Sequence, residues 1–123
     1  MRVDGYRTKI LPLRARAEVR NAWLRHRLDG LLPDLMARAG LDMWIVAARE
    51  YNEDPVLMTL LPDPALSARR RTVLLFARQA DGSVERLALD RYGYGDIYPA
   101  AWDPESEDQL ACLARLLRAR DPA

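Results

Sequence analysis

The stretch LDMWIVAAREYNEDPVLMTLLP, Leu41 to Pro62, decides the fold. Its first part, Met43 to Ala48, is the most apolar segment of the chain and runs directly into the polar cluster Arg49-Glu50-Tyr51-Asn52-Glu53-Asp54. A short apolar run bounded by polar residues is the pattern of a strand buried on both faces. Trp44, in mid-run, is expected in the core. In open α/β sheets ligands gather beyond the carboxyl ends of such strands, so Arg49 to Asp54 is the first candidate site. Past the cluster, Val56, Leu57, Leu60 and Leu61 recur at helical spacing. Asp54-Pro55 reads as an N-cap followed by a first-turn proline, opening a short helix that Pro62-Asp63-Pro64 ends.

Upstream, Leu24, Leu28, Leu31, Leu32, Leu35, Met36 and Ala39 form one apolar stripe within Ala15 to Ala39. Pro33 lacks the N–H a helix interior needs, so a break near Gly30 and a short second helix are expected. Gly40 follows as a C′ residue able to take positive φ. Residues 1–13 show no period and read as an extended arm. Downstream, Thr72 to Arg78 and Val84 to Asp90 read as strands joined by the Asp81-Gly82 turn, an antiparallel hairpin. Asp103 to Arg120 reads as a helix, with Asp103 as N-cap, Pro104 in the first turn and a stripe of Leu110, Leu113, Ala114 and Leu117.

The totals set limits. A chain of 123 residues suits one domain. Half its residues are apolar and 30% charged, which is globular rather than disordered. A net charge of +1 gives no bulk attraction to nucleic acid or to an anionic membrane, and neither is expected as a partner. The single cysteine, Cys112, excludes an internal disulfide and fits a reducing compartment, so a cytoplasmic location is expected. No apolar run approaches the ~20 residues of a membrane span.

The chemistry-bearing side chains are sparse. His26 is the only histidine and reads as a helix-surface residue. Cys112, next to Leu113, reads as a packing residue. Gly93-Tyr94-Gly95 lacks the strand–turn–helix setting of a dinucleotide fingerprint and reads as a loop that needs positive φ. Arg69-Arg70-Arg71 suits phosphate, or a solvated strand edge. Glu50, Glu53 and Asp54 suit a hard metal ion, but a loop salt-bridged to Arg49 is the simpler reading. Within Arg91 to Trp102 lie Tyr92, Tyr94, Tyr98 and Trp102. Either they form an exposed patch that meets another protein surface, or they roof the sheet.

The segments MARAGLDMWIV, AAREYNEDPVLMTLLP, SARRRTVLLFAR and ERLALDRYGYGDIYPAAWDPESEDQLACLARLLRARDP carry a resemblance. In this order they resemble the N-terminal domain of Xaa-Pro aminopeptidase-like proteins of the creatinase/prolidase superfamily, over about Arg14 to Pro122. Gly40 to Val46 and Asn52 are the most widely shared part. Ala48 to Pro55 and RYGYGDIY, Arg91 to Tyr98, are similar to one branch.

The resemblance implies an α/β fold in which a mixed β-sheet is flanked by helices, with residues 1–123 forming a single domain of this type. In that family a C-terminal pita-bread domain carries a dinuclear divalent metal site of two Asp, one His and two Glu. Nothing in this chain matches it, so no catalytic residue and no metal ligand is carried over. The implied role is a non-catalytic accessory domain that contributes to oligomer contacts and restricts substrate access. Its implied partners are the parent's catalytic domain and further copies in a homo-oligomer. The candidate access or interface residues are Arg49, Tyr51, Asn52, Glu53, Arg91, Tyr94, Asp96, Tyr98 and Trp102. A free-standing module that binds a small ligand or a protein is the alternative, and an enzyme in its own right is the third.

Overall fold

A computed structural model describes residues 4–123. In chain order the elements are α1 (Asp4–Arg7), α2 (Leu13–His26), a π-helical turn (Arg27–Leu31), α3 (Leu32–Ala39), β1 (Met43–Arg49), α4 (Pro55–Leu60), β2 (Arg71–Arg78), β3 (Val84–Ala88) and α5 (Gln109–Arg120). The expected arm is therefore helical over Asp4–Arg7, and its first three residues lie outside the described region. The strands form one sheet in the order β1-β2-β3, antiparallel at both junctions. The 72–90 hairpin is present, with its turn at Gly82 (φ 87°). Among the described residues, the mixed sheet implied by the resemblance is approached only by one isolated parallel bridge, Ala88 to Ala100.

The strand buried on both faces is β2, not β1. Thr72 through Ala77 are all buried, because β2 has a neighbour on each edge and helices over each face. β1 is an edge strand with Val46 and Ala48 buried and Ile45 and Ala47 exposed. Met43 to Ala48 is the more apolar of the two runs in sequence, so composition does not say which one lies in the middle. Alternation along β2 feeds two cores. Leu74 and Phe76 face Leu24, Leu28, Met36 and Leu57 of the helical layer, whereas Val73, Leu75 and Ala77 face Cys112 and Leu116 of α5.

The expected break near Gly30 is instead a π turn, and the helix runs on through Pro33. The Leu32 N–H reaches back five residues to the Arg27 carbonyl. One residue is thereby absorbed into a wider turn, next to the proline that has no N–H to give. The buried row is Leu24, Leu28, Leu32 and Met36. At about 100° per residue, twelve residues of ideal α-helix would rotate this row by roughly 120°, and absorbing one residue leaves about 20°. The π turn keeps the row on the sheet, while Leu31, Leu35 and Ala39 of the expected stripe stay exposed. Gly40 ends the helix with φ 69°. Its N–H bonds the Ala37 carbonyl and the Leu41 N–H bonds the Met36 carbonyl, which together make a Schellman motif.

α4 begins as expected, with Asp54 Oδ1 accepting from the Val56 N–H at 2.7 Å. α5 begins six residues later than the expected cap. Asp103 closes a separate turn, accepting from the Glu105 N–H and the Ser106 hydroxyl, and Asp108 caps the helix at the Ala111 N–H. Its buried face is Gln109, Cys112 and Leu116; Leu110 is exposed, with Leu113, Ala114 and Leu117 at the margins. Both Asp103 and Asp108 satisfy the residue preferences for a cap, and the packing of Trp102 and of Gln109 accompanies the second. The Trp102 indole N–H donates to the Glu107 carbonyl at 2.8 Å and holds the 103–107 segment away from the helix axis.

Candidate functional site

β1 and β3 both run antiparallel to β2. Their C-terminal ends therefore lie at the same end of the sheet, and the loops that follow them, Arg49–Asp54 and Arg91 onward, leave from that end on either side of the start of β2. Ligand placement in parallel sheets does not carry over to this antiparallel one, but the exit of both loops at one end of the sheet does follow from the strand directions.

At the first loop the chain reverses between Arg49 and Asn52. The Asn52 N–H bonds the Arg49 carbonyl at 3.2 Å. Tyr51 sits in the left-handed region at φ 66°, a conformation that glycine adopts without strain and that costs other residues about 1–2 kcal/mol. Its ring is 94% exposed. Glu53 Oε1 accepts from the Tyr51 N–H at 3.3 Å. The expected salt bridges from Arg49 to Glu50 and Glu53 are not formed, since Glu53 turns back onto backbone instead. Among the described residues no group of three or more His, Cys, Asp or Glu is placed to hold a metal ion, so Glu50, Glu53 and Asp54 do not fit one.

The second loop splits by depth. Asp90 Oδ1 accepts from the N–H groups of Tyr92 and Gly93, which turns the chain over the sheet. Arg91 and Tyr92 are exposed. Gly93 and Gly95 take φ 66° and 59°, as the Gly-Tyr-Gly spacing suggested. Tyr94 is half-buried, and its hydroxyl is enclosed without a hydrogen-bond partner; burial raises its pKa, against a smaller influence of Thr72. Asp96 is exposed and pairs with Arg25 of α2 at 2.8 Å, and that hydrogen bond lowers its pKa.

Tyr98 is fully buried. Its hydroxyl donates to the Leu60 carbonyl at 2.8 Å, and burial pushes its phenol well above the ordinary range. Trp102 is half-buried against the α5 core. An aromatic file runs beneath the loop: Trp44 stacks on Phe76 at 5.1 Å, Phe76 meets Tyr98 edge-on at 5.9 Å, and Tyr98 meets Tyr94 edge-on at 6.2 Å. Trp44 is only half-buried, since it lies on the edge strand. The Tyr94, Tyr98 and Trp102 rings thus roof the sheet, and the expected continuous aromatic patch does not form; Tyr92 is the exposed ring of this loop.

The nine candidate residues therefore fall into separate settings. Arg49, Tyr51, Asn52 and Glu53 form an outward tip at the end of the sheet. Asp96 and Tyr98 pack toward α2 and α4, and Trp102 toward α5.

Two further residues join the tip: Arg71, singled out in the sequence only within the run Arg69-Arg70-Arg71, and Gln109, which the sequence reading passed over. Arg71 is the cross-strand partner of Arg49, and its Nε donates to Gln109 Oε1 at 2.7 Å. Gln109 is buried, and its Nε2 donates in turn to the carbonyls of Arg71 and Leu89. A polar residue at a position facing the sheet, in a helix otherwise read as an apolar stripe, was the available signal for it. His26 is exposed, and Cys112 is a buried packing residue whose thiol donates to the Ala101 carbonyl, with its pKa raised by burial. No helix among the described residues is long and apolar enough to cross a membrane. Comparison with protein-family models, with curated proteins and with solved structures finds no match to this chain.

Proposed function

We propose that this chain is a non-catalytic accessory domain of the kind that precedes the catalytic domain in Xaa-Pro aminopeptidase-like metallopeptidases, and that it contributes to oligomer contacts and restricts substrate access. One observation carries the reading: the β1 and β3 loops, which contain the branch-specific segments Ala48 to Pro55 and Arg91 to Tyr98, emerge at one end of the sheet. A domain that screens an entrance needs loops presented together on a rigid support, and two loops leave this end of the sheet. The resemblance is the second support for this reading. Its most widely shared part, Gly40 to Val46, spans the Schellman turn and the first four residues of β1. The dinuclear divalent metal belongs, in this reading, to a separate catalytic domain, and no step of that chemistry is assigned to residues of this chain.

The reading is tested by the nucleotide sequence beyond codon 123. An open frame that continues into a region with two Asp, one His and two Glu in ligand order is expected, and an immediate stop codon would refute it. The chain alone is expected to leave Ala-Pro-type peptides intact when Mn²⁺, Co²⁺ or Zn²⁺ is added. The exposed arginine-rich tip around Tyr51 favours a second reading, a free-standing binding module. The stop codon is the outcome that this second reading expects.

A further inference from the structure

We propose that the sheet end bearing Arg49, Tyr51, Arg70 and Arg71 is a binding site for an oxyanion, a carboxylate or phosphate group presented by a small ligand or a chain terminus. The proposal holds whether the chain is an accessory domain or stands alone.

The argument starts from charge. Arg49 and Arg71 are directly opposite each other across the β1–β2 ladder. Directly opposed residues share a face with Cβ atoms about 5 Å apart, and like charges so placed destabilise a sheet. The Glu50 N–H bonds the Arg70 carbonyl at 2.9 Å, which lays Arg70 alongside the same turn. Arg69 precedes it, its N–H held by the Thr72 hydroxyl at 3.0 Å. Arg20, Arg25, Arg78, Arg86, Arg115 and Arg120 are each ion-paired with a carboxylate. Among the described residues Arg49, Arg69, Arg70 and Arg71 are in no ion pair. The nearby carboxylates are otherwise engaged or turned out. Glu53 accepts from the Tyr51 N–H, Asp54 caps α4, and Glu50 is exposed. Glu50 reduces the local positive charge but closes on no arginine.

Backbone strain is concentrated at the same place. Tyr51 and Arg70 are two of three non-glycine residues with positive φ among the described residues, at 66° and 52°. Glycine would relieve both, and the Tyr51 ring, exposed as it is, gains no packing to offset the strain. Strain held where it contributes nothing to the core points to a function.

Arg71 is also aimed. Gln109, only 7% exposed, takes the Arg71 Nε–H and returns a hydrogen bond to the Arg71 carbonyl. A guanidinium braced from below by a buried amide keeps its terminal N–H groups in a set direction. Such a fork matches the paired oxygens of a carboxylate or phosphate. A bound oxyanion would turn the Arg49–Arg71 repulsion into a shared attraction, with the Tyr51 phenol as a further donor at the rim.

The test uses the whole chain, titrated with sodium phosphate in one arm and sodium acetate in the other. Ionic strength is held constant with sodium chloride, and backbone amide and arginine Nε–H signals are followed by NMR. Saturable shifts confined to Arg49–Tyr51, Arg70 and Arg71 are expected, and the arm that saturates at lower concentration identifies the preferred oxyanion. Arg49→Gln should weaken that affinity roughly ten-fold. Arg70→Gly should raise the melting temperature by removing strain and still weaken binding, so that damage to the fold cannot account for the loss. Equal shifts from chloride alone, or unchanged affinity in both variants, would overturn the proposal.

Discussion

Gln109 and Arg71 exchange two hydrogen bonds, Arg71 Nε–H to Gln109 Oε1 at 2.7 Å and Gln109 Nε2–H to the Arg71 carbonyl at 2.9 Å. The pair ties the first turn of α5 to the start of the central strand. Gln109 Nε2 donates also to the Leu89 carbonyl at 3.0 Å, so one amide joins α5, β2 and the segment after β3. Gln109→Leu keeps the apolar bulk but strips donors from two carbonyls. Each buried group left unsatisfied costs about 1–3 kcal/mol. A loss of roughly 2–3 kcal/mol is expected in urea denaturation; a midpoint equal to wild type would show that the amide does not hold these elements together.

Tyr98 links the loop to α4 through its hydroxyl and the Leu60 carbonyl. Tyr98→Phe should cost about 1–2 kcal/mol, since the ring still packs and only the donor is lost. The pH dependence has a definite sign. Burial raises the folded-state pKa of Tyr98 above its ordinary value of 10.0. Below that ordinary value both states hold the proton and the group adds no slope. As pH rises beyond it the unfolded chain ionises first, and stability falls until the folded-state pKa is passed. Melting temperatures measured from pH 8 to 11 should therefore drop at the alkaline end for wild type, and less steeply for Tyr98→Phe. Parallel curves would assign the alkaline loss to other groups.

Trp44 contributes through Phe76, its cross-strand partner and stacking neighbour at 5.1 Å. A fully buried Trp or Phe truncated to Ala costs about 3–5 kcal/mol. The half-buried edge position of Trp44 reduces this to about 2–3 kcal/mol. Chemical denaturation of Trp44→Ala checks the figure, and a change below about 1 kcal/mol would mean that the stack carries little of the core.

Gly93 has no room for a side chain. A Cβ there would lie 2.6 Å from the Tyr98 carbonyl oxygen and 2.7 Å from the Ala100 N, at φ 66°. These contacts are backbone on backbone, so no rotamer relieves them. Gly93→Ala should lose more than about 2 kcal/mol and loosen the Tyr94–Tyr98 bridge. Gly95, equally left-handed at φ 59° but open on all sides, should tolerate alanine at only about 1–2 kcal/mol. Comparing the two variants by thermal melting separates steric closure from backbone strain.

Local chemistry was legible in the residues themselves. The Gly40 turn, the Asp54-Pro55 entry to α4, the Asp81-Gly82 hairpin and the left-handed Gly93 and Gly95 all follow from interactions within a few residues. The α/β class also followed, because helical and strand periods are properties of short windows. Partner choice between elements was not legible. Met43 to Ala48 and Thr72 to Arg78 are both apolar runs, and only the pairing order put the second in the centre and left Ile45 and Ala47 open on the first. The π turn at Arg27–Leu31 arises because the sheet requires one continuous buried row, a demand that no local signal states. Asp103 and Asp108 both suit a cap by residue type, and the contacts that go with the second, Trp102 to Glu107 and Gln109 to Arg71, are tertiary or span several residues. The tip followed the same division. Arg49, Tyr51 and Arg71 could be named from the sequence, but Arg71 is 22 residues beyond Arg49 and Gln109 a further 38, and they come together only because β1 pairs with β2 and Gln109 of α5 bonds Arg71. Strand pairing and helix packing are settled by burial summed over the whole domain, so tertiary structure alone brought those residues to one end of the sheet.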